Sequence, residues 1–169
     1  MNKELLLELY KSQSKIIYGY LIKCGCSREE AEDIVHDSFI KAIEYMDGIS
    51  VEKLPSWLFK VALNNYKNKI KRKSLINEVS IDYEGFCSNF IGDNDSLEIL
   101  LWKEKEEHVR ECLSKLKEQS KTLLIFKYDM ELSYKEIGKL LGLSQEVVKT
   151  YLYRARNEFK IAWRDSYGR

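Results

Sequence analysis

The sequence SYKEIGKLLGLSQEVVKTYLYRARNEF, residues 133–159, decides the expected architecture of the chain. Ser133 precedes Glu136 by three residues, which is the capping-box pattern at the start of a helix. Gly142 suits the left-handed residue that ends such a short helix, and Ser144 suits the cap of the next helix. A short helix, a glycine-containing turn and a longer helix predict a helix-turn-helix, whose second helix enters the major groove of DNA.

The longer helix of this motif is expected to have an apolar and a polar face. Its apolar residues recur at helical spacing and are expected to face inward: Val147, Val148, Leu152, Ala155 and Phe159. Its polar residues are of types that reach base edges or phosphates: Gln145, Glu146, Lys149, Thr150, Tyr153, Arg154, Arg156 and Asn157. The candidate DNA-binding residues are the cap residue Ser144 with Glu146, Lys149, Thr150, Tyr153 and Arg154. A solvated bundle helix is the alternative, but the two caps and the glycine turn favour DNA binding.

Charge is unevenly distributed along the 169 residues, although the net charge is only +1. Residues 1–73 contain 13 Lys and Arg against 10 Asp and Glu, and residues 99–169 contain 15 against 11. Residues 74–98 contain six acids and no Lys or Arg. Two basic blocks joined by an acidic segment are compatible with a nucleic-acid partner for the blocks.

The acidic segment also has the composition of a loop. Residues 74–97 are rich in Asn, Asp, Ser and Gly, which favour turns. A structureless stretch of this length is uncommon inside one compact domain. We therefore expect a flexible acidic linker over 74–97, between a domain at 1–73 and a second domain at 98–169. Its apolar cluster, Phe86, Phe90 and Ile91, is a candidate for a transient anchor.

The first block is predicted to consist of helices. Gly25 is expected to end the first helix, and Ser27 with Glu30 forms a further capping box. A stripe at i, i+3, i+4 and i+7 then predicts one buried helix face: Ala31, Ile34, Val35, Ser38, Phe39, Ala42, Ile43 and Met46. The expected fold is therefore all-α, with two small helical domains joined by the flexible acidic linker.

A strongly basic helix is predicted at the end of the first block. From Lys60 to Lys73 there are six Lys and Arg and no acid, interleaved with amides and Tyr66. This pattern suits contact with a nucleic-acid backbone, although a lysine-rich solvated helix is the alternative.

Segments of both blocks resemble a known family. Residues 31–39 (AEDIVHDSF) and 57–64 (WLFKVALN) resemble the second conserved region of bacterial RNA polymerase sigma factors. Residues 132–138 (LSYKEIG) and 148–156 (VKTYLYRAR) resemble their fourth conserved region. The order of these segments and the missing third region resemble the small extracytoplasmic-function group.

The resemblance implies a role for each region. The acidic face with Asp33, His36 and Asp37 would bind the clamp helices of the largest subunit of core RNA polymerase, although the family usually has Gln at the position of His36. In the basic helix, the candidate DNA-binding residues match family positions near the opened strand of the minus-ten promoter element: Asn64, Lys67, Asn68, Lys71 and Arg72. The candidate residues of the longer helix would contact the minus-thirty-five element.

The resemblance also implies partners and the absence of catalysis. The implied partners are core RNA polymerase, through its clamp helices and its flap, and promoter DNA, with an anti-sigma factor as a further candidate. No cofactor, metal or catalytic site is implied. The four cysteines, Cys24, Cys26, Cys87 and Cys112, lack zinc-site spacing and are expected to be reduced, with Cys87 the most exposed. Without a signal peptide or an apolar run of roughly 18 residues, a cytoplasmic location is expected.

Two other function classes are compatible with parts of the sequence. A stand-alone helix-turn-helix regulator would need only the second block and would usually read two half-sites as a dimer. That hypothesis leaves the acidic face and the basic helix unexplained. An enzyme acting on nucleic acid is the other hypothesis, since Asp33 and Asp37 share a helix face. No Lys, His or Gly-rich phosphate loop completes a catalytic site around them.

Overall fold

The computed structural model describes residues 3–73, 80–93 and 106–167. Within these ranges the chain forms eight α-helices and no strand, and none of these helices is both long and apolar enough to cross a membrane. The chain divides into two compact units, formed mainly by residues 1–80 and mainly by residues 81–169. The prediction of an all-α fold with two small helical domains is confirmed.

The first unit is a three-helix arrangement in which each helix packs against the other two. Two short 3₁₀ turns, Met46–Gly48 and Val51–Lys53, connect the second and third helices. The completely buried side chains include Leu21, Ala31, Ile34, Leu58 and Ala62. The helices are α1 (Lys3–Lys23), α2 (Arg28–Tyr45) and α3 (Leu54–Lys73).

The ends of α1 and α2 follow the predicted local signals. Gly25, at φ +99°, ends α1, and the following N–H donates to the Leu21 carbonyl at 3.1 Å. The Ser27 N–H donates to Glu30 Oε2 at 3.1 Å, and the Glu30 N–H donates to Ser27 Oγ at 3.2 Å. Both the glycine stop and the capping box are therefore confirmed.

The predicted buried stripe of α2 is wrong at one position near its end. Ile43 is 52 % exposed, because it borders an open apolar groove that Leu6, Leu7 and Tyr10 of α1 also line. Met46, the last member of the stripe, is half-buried. The pattern identified the face correctly but not the point at which the neighbouring helix stops covering it.

The second unit contains five α-helices and one π-helical turn, Ile125–Asp129, in the described part of the chain. The buried aromatic side chains Phe126, Tyr128 and Phe159 form much of its core. The last helix packs against the second and third helices of the unit. The helices are α4 (Tyr83–Asp93), α5 (Glu106–Ser114), α6 (Glu118–Leu124), α7 (Tyr134–Leu141) and α8 (Gln145–Tyr167).

The prediction of a flexible linker over 74–97 is wrong for Tyr83–Asp93, which form α4. Phe86 and Phe90 are completely buried, and the Phe90 ring centroid lies 5.0 Å from that of Tyr128 and 5.3 Å from that of Phe159. Phe86 and Phe90 of the apolar cluster are therefore part of the core of the second unit and not a transient anchor, and the side chain of Ile91 lies outside the described residues. Residues 74–79 and 94–97 of the predicted linker lie outside the described residues.

Polar contacts also fix α4 in the second unit. The Asp82 N–H donates to Asp129 Oδ1 at 3.0 Å, and Asn89 Nδ2 donates to the Tyr128 carbonyl at 2.8 Å. The boundary between the units consequently falls near residue 80 and not at residue 73 or 98. Cys87, predicted to be the most exposed thiol, is completely buried because it lies on the inner face of this helix.

Tyr128 makes the stability of the chain depend on pH in the alkaline range. Burial raises the pKa of its hydroxyl from 10.0 to about 12, against the opposing effect of Arg156, whose Nη1 donates to the hydroxyl at 3.2 Å. Between these two values the folded chain keeps a proton that the unfolded chain loses, so stability falls as the pH rises. We expect this residue to account for a loss of about 2 kcal/mol.

Urea unfolding at about pH 9 and about pH 11.5 measures this loss. The variant Tyr128→Phe removes the titrating group and should show a smaller decrease between the two pH values, whatever its starting stability. An equal decrease in the variant and the unsubstituted chain would contradict the assignment to Tyr128.

Candidate nucleic-acid interface

The helix-turn-helix predicted from residues 133–159 consists of α7 and α8. The Ser133 N–H donates to Glu136 Oε1 at 3.0 Å and the Glu136 N–H donates to Ser133 Oγ at 3.1 Å, which completes the capping box of α7. Gly142 ends α7 at φ +69°, a backbone conformation that glycine adopts without strain. The Val147 N–H donates to Ser144 Oγ at 3.3 Å and so caps α8. All three local predictions are confirmed.

The two faces of α8 separate as the sequence predicts. Val148, Leu152, Ala155 and Phe159 are completely buried, whereas Val147 is only half-buried. All six candidate DNA-binding residues of this region have exposed side chains: Ser144, Glu146, Lys149, Thr150, Tyr153 and Arg154. The inner face of α8 packs against α5 and α6, and this packing leaves the outer face exposed.

Contacts among the exposed residues of α8 are weak and leave their polar groups accessible. Lys149 Nζ lies 3.6 Å from Glu146 Oε1, and ion pairs this exposed contribute little to stability. The Thr150 hydroxyl donates to the Glu146 carbonyl at 3.1 Å. The Arg154 guanidinium lies 5.9 Å from the Tyr151 ring centre. Each of these contacts can be exchanged for a contact to a base or a phosphate at small cost.

The basic helix of the sequence analysis is the second half of α3. Asn64, Lys67 and Asn68 are exposed and, at i, i+3 and i+4, share one face of the helix. The side chains of Lys71 and Arg72 lie outside the described residues, although the helical backbone continues to Lys73. The structure thus brings together three of the five candidates in this helix.

Tyr66 anchors this basic helix to the rest of the first unit. Its hydroxyl donates to the Cys24 carbonyl at the end of α1, at 2.6 Å. Burial, with smaller contributions from the thiols of Cys24 and Cys26, raises the pKa of Tyr66 to about 12. Tyr66 therefore serves packing, whereas Asn64, Lys67 and Asn68 of the same stretch face solvent.

Asp33, His36 and Asp37 form one exposed stripe on α2. Their spacing of three and four residues places them on a shared helix face, opposite the buried Ile34 and Ser38. Within the described residues, no ion pair neutralises Asp33 or Asp37. The stripe is accordingly an uncompensated acidic surface suited to a basic partner.

Comparison with known proteins finds a family match for each of the two units. The Sigma-70 region 2 family matches residues 9–76, and the Sigma-70 region 4 family matches residues 106–159. RNA polymerase sigma factor YlaC of Bacillus subtilis (strain 168) is 31 % identical over 162 residues, which cover 94 % of this chain and 92 % of that protein. The chain belongs to the RNA polymerase sigma factors.

Other relatives of this sigma factor carry the extracytoplasmic-function (ECF) designation. ECF sigma factor SigW of the same organism is 26 % identical over 95 % of this chain and 88 % of its own length. The structure of sigma factor RpoE in complex with anti-sigma factor NepR from Bartonella quintana shares the fold, with a TM-score of 0.50, 18 % identity and coverage of 95 % and 97 % of the two chains. The sequence-based identification as an ECF sigma factor is confirmed.

Two features beside the candidate sites of this sigma factor were not predicted from the sequence patterns. Ile40, an exposed apolar residue, follows His36 by one helical turn and so extends the acidic stripe of α2 with an apolar surface. The half-exposed ring of Tyr134 lies near the ammonium groups of both Lys127 and Lys149. The sequence does indicate the apolar surface at Ile40, because this apolar residue stands at an otherwise polar position of the helix. The cluster around Tyr134 has no such signal, because it depends on contacts between residues that are distant in the sequence.

Proposed function

We propose that this sigma factor binds core RNA polymerase through the acidic stripe of α2 and reads the minus-thirty-five promoter element with the outer face of α8. The observation that carries this proposal is the exposure of Lys149, Thr150, Tyr153 and Arg154 on one face of a capped, rigidly packed recognition helix. Lys and Arg reach guanine edges in the major groove, and Thr and Tyr contact phosphates or methyl groups.

The first unit would open the minus-ten element. Asn64, Lys67 and Asn68 on α3 offer two amides and a cation to a single strand, and Lys71 and Arg72 continue the same basic stretch toward the end of the helix. The connection between α2 and α3, with its two 3₁₀ turns, supplies the loop into which a flipped base would enter. Two DNA-contacting units on one chain favour this function over a stand-alone regulator, which needs only the helix-turn-helix.

The proposed function requires no catalytic step by this chain. Its contribution would be to position promoter DNA on the polymerase, which carries the chemistry. Since that partner acts on the chromosome, we expect the chain to act in the cytoplasm. An anti-sigma factor that covers the acidic stripe or the recognition helix remains a candidate partner.

Run-off transcription tests the proposed function directly. Purified chain and core RNA polymerase are combined on a library of genomic fragments, and the transcripts are sequenced. We expect transcripts with a shared start site and a shared upstream element, absent when the chain is left out. Failure to bind core and to produce any such transcript would contradict the proposal, and a dimer footprint on palindromic DNA without polymerase would favour the stand-alone regulator.

Charge reversal on α2 tests the polymerase-binding surface. We expect Asp37→Lys to weaken core binding by at least about tenfold, because a buried interfacial charge pair would become a repulsion. Fluorescence anisotropy of the labelled chain titrated with core RNA polymerase measures the affinity. Asp165→Lys, the same reversal at the exposed end of α8, is the matched control and should bind normally. Equal affinities of the two variants would exclude Asp37 from the interface.

A further inference from the structure

Three side chains from three separate elements meet at the edge of the helix-turn-helix. Lys127 belongs to the π-helical turn, Tyr134 is the first residue of α7, and Lys149 lies in the second turn of α8. Lys127 Nζ lies 4.5 Å from the centre of the Tyr134 ring, and Lys149 Nζ lies 5.7 Å from the same centre. The fold therefore gathers two ammonium groups around one aromatic ring.

The π-helical turn determines where Lys127 points. Its neighbours Phe126 and Tyr128 are buried in the core, while Lys127 is half-exposed. The Met130 N–H closes the wide turn by donating to the Ile125 carbonyl at 2.9 Å. Single π-helical turns are rare and often occur at functional sites. Here the wide turn keeps both aromatic neighbours in the core and still directs the lysine to the Tyr134 ring.

The cluster has more positive charge than its one carboxylate neutralises. Glu146 is paired with Lys149 at 3.6 Å, but its own side chain is 86 % exposed. In the ranges that the structure covers, no ion pair joins Lys127 to an acid. Two ammonium groups and a half-exposed phenol therefore bring hydrogen-bond donors together in one cluster. Lys and Tyr are both among the residues that contact phosphate oxygens of DNA.

We propose that Lys127 and Tyr134 form, together with Lys149, a phosphate-binding cluster that holds the DNA backbone beside the recognition helix. The proposal rests on the proposed function of α8. In a helix-turn-helix the first helix crosses the DNA backbone while the second enters the groove, and this cluster joins the two helices. The Tyr134 ring holds both ammonium groups by cation–π attraction, and its hydroxyl and Lys127 donate to phosphate oxygens.

The salt dependence of DNA binding tests whether Lys127 contacts a charged phosphate. The probe is holoenzyme, assembled from the full chain and core RNA polymerase, on the promoter fragment recovered by run-off transcription. We expect Lys127→Ala to weaken binding about threefold to tenfold and to reduce the slope of log affinity against log salt concentration by about one. Lys117→Ala, at an exposed lysine before α6, is the matched control and should leave both values unchanged. An unchanged slope in Lys127→Ala overturns the proposal.

Methylphosphonate substitution then locates the phosphate. Each phosphate of the upstream element is replaced singly by the neutral analogue, and the loss of affinity is measured for each variant. The unsubstituted chain and Lys117→Ala should lose affinity at one phosphate where Lys127→Ala no longer does. Tyr134→Phe, which keeps the ring, should retain the salt slope, whereas Tyr134→Leu should reduce it. Equal sensitivity of Lys127→Ala and the unsubstituted chain at every phosphate overturns the proposal.

Two controls distinguish loss of the phosphate contact from misfolding and from failure of the proposed function. Lys127→Gln repeats the measurement with a second neutral side chain, and circular dichroism verifies that each variant is helical. If the unsubstituted chain directs no promoter-specific transcript, the proposed function fails. If it does and the Lys127 variants bind as it does, only the phosphate-binding cluster fails.

Discussion

We expect Arg154→Ala to lower promoter-directed transcription by about tenfold to a hundredfold, and Lys149→Ala to act similarly. Both side chains are exposed on the outer face of α8 and reach away from the core, so their loss removes contacts to DNA without disturbing the fold. A specific contact of a basic side chain to a base edge is worth about 1–3 kcal/mol of discrimination. Run-off transcription from a selected promoter, at several concentrations of the chain, measures the loss.

The affinity of each variant for core RNA polymerase distinguishes a defect in promoter recognition from a general loss of activity. Both variants should bind core RNA polymerase with the affinity of the unsubstituted chain, because the acidic stripe of α2 belongs to the other unit. Arg164→Ala, which removes an exposed arginine farther along α8, is the matched control and should transcribe normally. Equal losses of core binding and of transcription in Arg154→Ala would contradict the assignment of α8 to DNA.

The second large effect concerns stability. We expect Phe90→Ala to lower the free energy of unfolding of the second unit by about 3–5 kcal/mol. Phe90 is completely buried, and its ring contacts those of Phe86, Tyr128 and Phe159. Removing the ring leaves a cavity that the surrounding aromatic side chains cannot fill. Urea unfolding of the full chain, followed by near-ultraviolet circular dichroism and by hydrogen exchange of α8, measures the change.

Ser88→Ala provides the control for this measurement. Ser88 lies on the exposed side of α4, and its hydroxyl contributes no contact to the core, so the free energy of unfolding should change by less than about 0.5 kcal/mol. A similarly small change in Phe90→Ala would mean that α4 is not part of the second unit. Faster hydrogen exchange in α8 of the Phe90→Ala variant would show that the loss of stability lies in the second unit.

Local chemistry explains which elements could be predicted from the sequence. Helix caps and glycine stops depend only on residues close to them in the sequence. The spacing of Ser27, Ser133 and Ser144 and of the glycines at the ends of α1 and α7 is therefore enough to predict these helix ends. The inner face of α8 could also be predicted, because its apolar residues recur with the helical period. The exposure of the candidate DNA-binding residues follows from that same periodicity.

Contacts between distant residues explain what could not be predicted. Residues 83–93 contain two glycines and several loop-forming residues, and only Tyr128 and Phe159, far along the chain, give Phe86 and Phe90 a core to enter. The cluster around Tyr134 likewise requires the π-helical turn, and no periodicity in residues 125–129 predicts that turn. The exposure of Ile43 depends on where α1 leaves α2 uncovered.

The separation of the two faces of α8 has an evolutionary consequence. Substitutions at Glu146, Lys149 or Arg154 alter the surface offered to DNA while Leu152 and Phe159 continue to hold the helix in place. Insertion of a single residue would instead rotate everything beyond it by about 100° and would exchange the two faces in part. If α8 has the proposed function, promoter preference can therefore change by point substitution, whereas a change in the length of this helix would alter both faces at once.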